Sequence, residues 1–196
     1  MNTTNNRRMK TGTLVLGAIL TALVVILQCM GQFIRFGMFS ISLVLIPIVI
    51  GAATCGPKIS TWLGFVFGVV VLMTDAAAFL AISIPGTVVT VLAKGIACGL
   101  TAGLVYKALE KKGSAIAATA AAIICPVVNT GVFLGGCVLF FFDTIRQWGE
   151  GLGFSNVFTY MMLGLVGGNF LFELAINVIL SPAISTILRA VRRKAF

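Results

Sequence analysis

Long uncharged, apolar stretches determine what this chain can fold into. No charged residue occurs between Thr11 and Ile34, or between Gly113 and Phe142. Of the 196 residues, 59% are hydrophobic and only 10% are charged, whereas a soluble domain carries about 25% charged residues. A chain of this length cannot bury so much apolar surface within itself, so lipid must surround it. The sequence therefore predicts an all-α integral membrane protein, because helices satisfy their own backbone hydrogen bonds in lipid.

The lengths of these stretches predict six transmembrane helices. A helix rises about 1.5 Å per residue, so about 20 residues cross a hydrocarbon core of about 30 Å. The predicted spans are Gly12–Gly31, Ser40–Thr54, Ile59–Met73, Thr87–Lys107, Ser114–Phe142 and Val157–Leu188. The turn Cys55-Gly56-Pro57-Lys58 joins the second span to the third, and Thr74–Gly86 either extends the third span or folds back over the outer face. Residues 1–196 then form a single membrane domain, a six-helix bundle over 11–188 with tails at 1–10 and 189–196.

Lysine and arginine are distributed unequally between the two ends of the spans. Eleven fall on the side that holds both termini: Arg7, Arg8, Lys10, Lys58, Lys107, Lys111, Lys112, Arg189, Arg192, Arg193 and Lys194. Only Arg35 and Arg146 fall on the other side. Because cytoplasmic loops are enriched in cations, both termini are predicted to be cytoplasmic. The outer loops are then 32–39, 74–86 and 143–156, and the apolar run after Lys10 is interpreted as the first span, not as a signal peptide.

The residue types present argue against several classes of function. The chain has no His, and none of its five Cys residues forms a C-x-x-C pair, so metal sites and His-based catalysis are not expected. No G-x-x-x-x-G-K-[ST] sequence is present, so no ATP is expected to bind through a P-loop. The cations flank apolar runs instead of lining one polar face, which argues against nucleic acid. A membrane enzyme is also disfavoured, since Asp75 in an outer loop and Glu173 deep in span six are not expected to meet.

Polar residues lie at similar depths in four of the predicted spans. Gln28, Lys94, Asn129 and Glu173 lie about 20 to 27 Å from the cytoplasmic charged ends, in the outer half of the membrane. Span six adds Asn169 and Asn177, which with Glu173 follow the i, i+4, i+8 spacing of one helical face. Because such groups are costly in lipid, they predict a polar pocket, open to the outside, for a small water-soluble molecule. Alternatively, Lys94 pairs with Glu173 and the amides tie the helices together.

Small and aromatic residues recur along the spans. The G-x-x-x-G spacing that permits close helix packing occurs at Gly64/Gly68, Gly99/Gly103, Gly131/Gly135 and Gly164/Gly168. We expect these glycines to serve packing within the bundle. Near the outer surface, Phe140, Phe141, Phe142 and Trp148 form either an interfacial belt or a lid over a heteroaromatic ligand.

Several of these segments, in this order, resemble the substrate-binding S components of energy-coupling factor (ECF) vitamin transporters. The segments are Ala18-x-x-x-Ala22, the turn Cys55-Gly56-Pro57-Lys58, Lys94-Gly95 with 99–107, Val128-Asn129-Thr130-Gly131, and Asn169 to Asn177 with Glu173 between them. The resemblance covers nearly the whole chain and is greatest to the branch of riboflavin, pantothenate and folate carriers. It implies a six-helix protein of a bacterial cell membrane with both termini inside.

The resemblance also implies a mechanism and partners. An S component captures a vitamin or its precursor from outside, and then associates with a transmembrane coupling subunit and two ATPase subunits. The small side chains of Ala18 and Ala22 would form the docking surface for the coupling subunit. The S component itself would need no cofactor, since its partners use the ATP.

The ligand is left open among three vitamins. Lys94, with Arg35 in the first outer loop, would attract an anion such as pantothenate or folate. Riboflavin would instead use the amides and the apolar walls. A thiamine carrier is disfavoured because no dense cluster of Trp, Tyr and His is present, and the absence of His disfavours cobalt or nickel carriers. A structural or assembly subunit without a ligand, and a stand-alone carrier, are the remaining alternatives.

Overall fold

Nine α-helices form most of the part of the chain that the structure describes. The computed structural model describes the backbone of residues 11–31, 35–36, 39–40 and 43–194, and the side chains of 11–31, 43–182 and 186. The helices are α1 (Thr11–Gly31), α2 (Leu45–Cys55), α3 (Pro57–Thr74), α4 (Ala77–Leu80), α5 (Ile84–Leu109), α6 (Ser114–Phe140), α7 (Phe142–Gly151), α8 (Val157–Thr159) and α9 (Gly167–Lys194). A 3-10 turn, Glu110–Lys112, follows α5, and a π-helical turn, Tyr160–Leu165, follows α8. The two-residue strands β1 (Arg35–Phe36) and β2 (Phe39–Ser40) pair antiparallel.

The all-α membrane fold predicted from the sequence is confirmed. Among the described residues, four helices (α1, α3, α5 with its 3-10 turn, and α6) are long and apolar enough to cross a membrane. Two further segments, Val157–Leu165 and Gly167–Pro182, meet at an angle of 45° and are together long and apolar enough for a fifth span. Large apolar side chains on these helices face outward, including Met73, which is 82% exposed, and Leu139, which is 77% exposed. Lipid acyl chains are the solvent that such a surface requires.

The predicted count of six spans is not confirmed, because the second predicted span is a short helix. In α2 there are 11 residues, which at about 1.5 Å per residue extend only about half-way across the hydrocarbon core. Neighbouring helices α1, α3, α5, α6 and α9 all contact α2, and seven of its residues are buried. Its length is therefore tolerated, since protein instead of lipid covers it. The two predicted tails and the cationic side chains of 189–194 lie outside the described side chains.

A tight turn between α2 and α3 lies where the sequence predicts it. Gly56 has φ +83°, a left-handed conformation that favours glycine, and it ends α2. Pro57 then occupies the first turn of α3, where its missing N–H costs no helical hydrogen bond. The two helices are consequently antiparallel neighbours.

Glycines allow α3 and α5 to pack with their backbones in close contact. A Cβ atom at Gly64 would collide with the carbonyl oxygen of Gly95, and one at Gly99 would collide with the carbonyl oxygen of Ser60. This confirms the packing role expected of two of the glycine pairs. In contrast, a Cβ atom at Gly131 or Gly135 would meet nothing within 4 Å, so the expectation was wrong for that pair.

Two of the predicted outer loops contain helices. Within 74–86, α4 lies between α3 and α5, so this segment does not extend the third span. Within 143–156, α7 is an amphipathic helix that buries Ile145 and Gly149. Ile145 belongs to an apolar cluster with Cys137, Phe141 and Tyr160, separate from the larger core of α1, α2, α3, α5 and α6.

Candidate ligand-binding site

A cavity of about 260 Å³ opens among six of the helical elements. This volume is near the lower end of the range for small-molecule sites, about 300 to 1,000 Å³. The described residues that line it are Gln28, Phe67, Val71, Asp75, Ala76, Phe79, Thr87, Thr90, Val91, Lys94, Asn129, Thr130, Phe133, Phe141, Leu165, Val166, Asn169, Phe170 and Glu173. They combine apolar walls with a few converging polar groups, which is the usual composition of a small-molecule site.

The cavity lies at the end of the bundle opposite the lysine-rich end. Its lining comes from the C-terminal ends of α1, α3 and α6 and from the N-terminal half of α5. Lys58 is the second residue of α3, Lys107 lies in the last turn of α5, and Lys111 and Lys112 follow that helix, so these cations mark the other end of the bundle. That this end of the bundle faces the exterior, as the positive-inside rule predicts, stays a prediction.

Lys94 presents its ammonium group to two aromatic rings at the cavity. Its Nζ lies 5.7 Å from the ring centroid of Phe67 on α3 and 5.0 Å from that of Phe133 on α6. Both distances are within the range in which a ring face attracts a cation. The neighbouring Gly95 brings α3 against α5, and the close approach places Phe67 within reach of Lys94.

Glu173 is 4% exposed and lies on the opposite wall, in α9. The Asn169 side-chain amide donates to Glu173 Oε1 at 3.4 Å, which is a long hydrogen bond. Asn177 instead donates from Nδ2 to the backbone carbonyl of Glu173 at 2.7 Å. Asn177 is fully buried but does not line the cavity, so it departs from the face that the i, i+4, i+8 spacing predicts.

Lys94 and Glu173 attract each other across the cavity without touching. Both side chains line it, and each is close enough to be affected by the charge of the other. The hydrogen bonds and ion pairs formed by the described side chains do not join them directly. The alternative of a closed Lys94–Glu173 contact pair is therefore not what the structure contains.

Three oxygen atoms of lining residues are buried without a hydrogen-bond partner. They are Thr90 Oγ1, Asn129 Oδ1 and Asn169 Oδ1. A buried polar atom left unpaired costs about 1 to 3 kcal/mol, so most native proteins pair such atoms. All three atoms belong to residues that line the same cavity.

Asp75 is a lining residue that sequence reasoning missed. It caps α3, and its Oδ2 accepts a hydrogen bond of 3.0 Å from Gln28 Nε2 on α1. Asp75 and Glu173 line the same cavity. The available signal was the position of Asp75, the first acidic residue of the chain, at the end of an uncharged stretch. Thr87, Thr90 and Thr130 were also missed, because threonine is common in membrane helices.

An aromatic cluster forms the outer wall of the cavity. Phe79 makes edge-to-face contacts with Phe133 at 5.6 Å, Phe141 at 5.1 Å and Trp148 at 5.6 Å between ring centroids. Phe141 is buried, whereas its neighbour Phe140 is 47% exposed. Phe141 therefore has the position expected of a lid residue, at the cavity, and Phe140 has the exposure expected of an interfacial belt residue.

Five of the predicted ligand-binding residues come together at the cavity: Gln28, Lys94, Asn129, Asn169 and Glu173. Arg35 lies in β1, and its side chain is outside the part of the chain whose side chains are described. Ala18 and Ala22 are exposed on α1, on the face opposite its buried residues Gly17, Leu20, Val24 and Gln28. That these residues bind a ligand or a partner stays a prediction.

A comparison with protein families agrees with this architecture. The family model described as "ECF transporter, substrate-specific component" matches residues 12–185, which include every described residue of the cavity. A search of the curated proteins finds no match. Since the family match covers most of the chain, this membrane protein belongs to the substrate-specific components of ECF transporters.

Proposed function

We propose that this protein captures a water-soluble vitamin or vitamin precursor at the outer face of a bacterial cell membrane. The observation that carries the proposal is the cavity, in which an ammonium, two carboxylates and three unpartnered buried oxygens converge at the end of the bundle opposite the lysine-rich end. Such groups are tolerated within a membrane protein when they face a polar cavity, and they mark substrate sites. The family to which the chain belongs supports a small-molecule substrate.

Delivery of the ligand requires partner subunits in this proposal. The family implies an ECF coupling module with ATPases, and the small residues Ala18 and Ala22 on the exposed face of α1 suit close contact with a helix of the coupling subunit. Both termini are then cytoplasmic. ATP is hydrolysed by the partners, and this chain binds no cofactor of its own.

Native mass spectrometry of the purified protein tests the proposal. We expect a small molecule to co-purify in a one-to-one complex and to dissociate on Glu173→Ala or Lys94→Ala substitution. A protein that co-purifies with a coupling subunit, yet neither retains nor binds any small molecule, would instead be an assembly subunit. Flux into proteoliposomes that contain this chain alone would identify a stand-alone carrier.

A further inference from the structure

We propose that the cavity selects an aromatic ligand of zero net charge, with a hydrogen-bond acceptor at one edge and N–H or O–H donors at the other. The inference rests on the proposed function and specifies the chemical class of its substrate. It follows from three features of the cavity: its charges, its unpartnered atoms and its walls.

The charges of Lys94 and Glu173 compensate, and Asp75, the third charged residue of the described lining, is bonded to Gln28. Lys94 and Glu173 carry opposite charges on opposite walls and are not in direct contact. A ligand placed between them with its acceptor toward Lys94 and its donor toward Glu173 interacts favourably with both. A ligand with a net charge is attracted by one of them and repelled by the other, in surroundings that screen charge poorly.

The unpartnered atoms specify where the donors of the ligand lie. Asn129 Oδ1 and Asn169 Oδ1 are amide oxygens, which accept hydrogen bonds but cannot donate them. Asn129 is 7% exposed, so solvent outside the protein does not satisfy it. Asn169 lies one helical turn from Glu173 and donates to it. The wall formed by Asn169 and Glu173 therefore presents acceptors, and only a ligand with N–H or O–H groups completes it.

The cavity offers the ligand fewer hydrogen-bond donors than acceptors. The ammonium of Lys94 is held over the rings of Phe67 and Phe133, and none of the hydrogen bonds among the described side chains uses its N–H groups. One carbonyl, ring nitrogen or carboxylate oxygen of the ligand suffices there. This arrangement differs from the sequence expectation, in which Lys94 attracts an anion, because the carboxylate of Glu173 lines the same cavity and offsets the charge of Lys94.

The walls specify a planar ring. Phenylalanine supplies five of the described lining residues: Phe67, Phe79, Phe133, Phe141 and Phe170. Aromatic side chains pack against a flat ring with offset-stacked or edge-to-face geometry. Two kinds of ligand have the required chemistry: a hydroxylated or amide-bearing heterocycle, and an aromatic amino-acid zwitterion. The zwitterion would present full charges to Lys94 and Glu173, whereas the heterocycle would present partial charges.

Isothermal titration of the full-length protein in lipid nanodiscs tests the selection. The probes are riboflavin and pyridoxine as uncharged heterocycles, tryptophan as an aromatic zwitterion, pantothenate and folate as anions, and thiamine as a cation. We expect the tightest binding from an uncharged or zwitterionic probe, with every anion and cation at least about tenfold weaker. Tightest binding by tryptophan assigns full charges to the two ends of the ligand, and tightest binding by a heterocycle assigns partial ones.

Substitutions that change the charge of the cavity give a second readout. Glu173→Gln removes the carboxylate that offsets the charge of Lys94, and we expect it to shift the ratio of anion to neutral affinity by at least about tenfold toward the anion. Lys94→Met should shift the ratio toward thiamine. Glu150→Gln, which removes a carboxylate from the exposed pair with Arg146 on α7, is the matched control and should leave both ratios unchanged.

The outcomes separate this inference from the proposed function. If an anion or a cation binds tightest, or if the molecule that co-purifies carries a net charge, this inference is overturned while capture of a small molecule stands. Unchanged ratios in Glu173→Gln also overturn it. If none of the probes binds and nothing co-purifies, the proposed function fails, and this inference fails with it.

Discussion

The Gln28 side chain donates a hydrogen bond of 3.0 Å to the carboxylate of Asp75, and this bond joins α1 to the C-terminal end of α3. Both residues line the cavity, so the bond closes one side of its outer part. An amide that donates to an ionised carboxylate makes a stronger bond than two neutral groups do. The ends of α1 and α3 are therefore tied together at the wall of the cavity.

Replacing Gln28 with Leu should weaken ligand binding more than it weakens the fold. The bond to Asp75 contributes about 1.5 to 3 kcal/mol by the usual value for a hydrogen bond to a charged group, and its loss frees the two helix ends. We expect the Kd measured by titration calorimetry to rise at least about fivefold. Thr21→Val is the matched control, since Thr21 is a polar residue of α1 that bonds to the carbonyl of Gly17, away from the cavity. Equal effects of the two substitutions would contradict the prediction.

Replacing Asn129 with Leu should raise the thermal stability of the ligand-free protein while it reduces affinity. The unpartnered Oδ1 of Asn129 costs about 1 to 3 kcal/mol in the empty cavity, and an apolar side chain of similar size removes that cost. We expect a higher melting temperature in detergent and a Kd at least about tenfold larger.

The matched control for Asn129 is Thr119→Val on the same helix. Thr119 shares a hydrogen bond of 3.1 Å with Ser181 of α9, away from the cavity. Its loss should lower stability by about 1 kcal/mol and leave the Kd unchanged. The prediction for Asn129 is refuted by a lower melting temperature together with unaltered affinity.

Gly95→Ala should destabilise the protein strongly, because the added Cβ meets the carbonyl oxygen of Gly64. Overpacking of this kind costs about 1 to 3 kcal/mol, and the displaced α5 would also move Lys94. We expect a lower melting temperature and weaker binding. Gly131→Ala is the control, since nothing lies within 4 Å of a Cβ there, and its stability should be unchanged or raised by at most about 1 kcal/mol. Similar melting curves for the two variants would show that the α3–α5 contact is not close-packed.

Ala18→Trp and Ala22→Trp should abolish uptake and preserve binding, because both residues are exposed and neither lines the cavity. A tryptophan at either position prevents close approach of a partner helix. We expect uptake by cells that contain the coupling module to fall to less than about a tenth of the unsubstituted level, with the Kd unaltered. The same substitution at Leu139, an exposed position on α6, is the control. Uptake that survives in both alanine variants would place the docking surface elsewhere.

Hydropathy and charge predicted much of the helical layout, because these helices begin and end where the chain becomes polar. The spans predicted for α3 and α6 differ from the observed helices by at most two residues at each end. The last span was predicted as one helix and is bent, since the π-helical turn before Val166 leaves no mark on hydropathy. The second predicted span was too long at its start, where the apolar residues Leu43 and Val44 precede α2.

Lys94 and Asn129 could be predicted as site residues because their depth in the membrane was enough to place them at the cavity. Asn177 was placed wrongly because each step of four residues rotates a helix by about 40° beyond a full turn, so two steps from Asn169 carry it off the cavity face. Asp75 was missed because it lies at the end of α3, and periodicity within one helix does not show that this end meets Gln28 of α1 at the cavity.

The 45° bend in the last span divides it into two segments that both contribute to the cavity. Leu165 and Val166, at the bend, form part of the cavity wall, whereas Glu173 and Asn169 lie beyond it in α9. Ser181 is tied to Thr119 further along α9. A single stretch of the chain thereby supplies both the apolar wall at Leu165 and Val166 and the polar wall at Asn169 and Glu173.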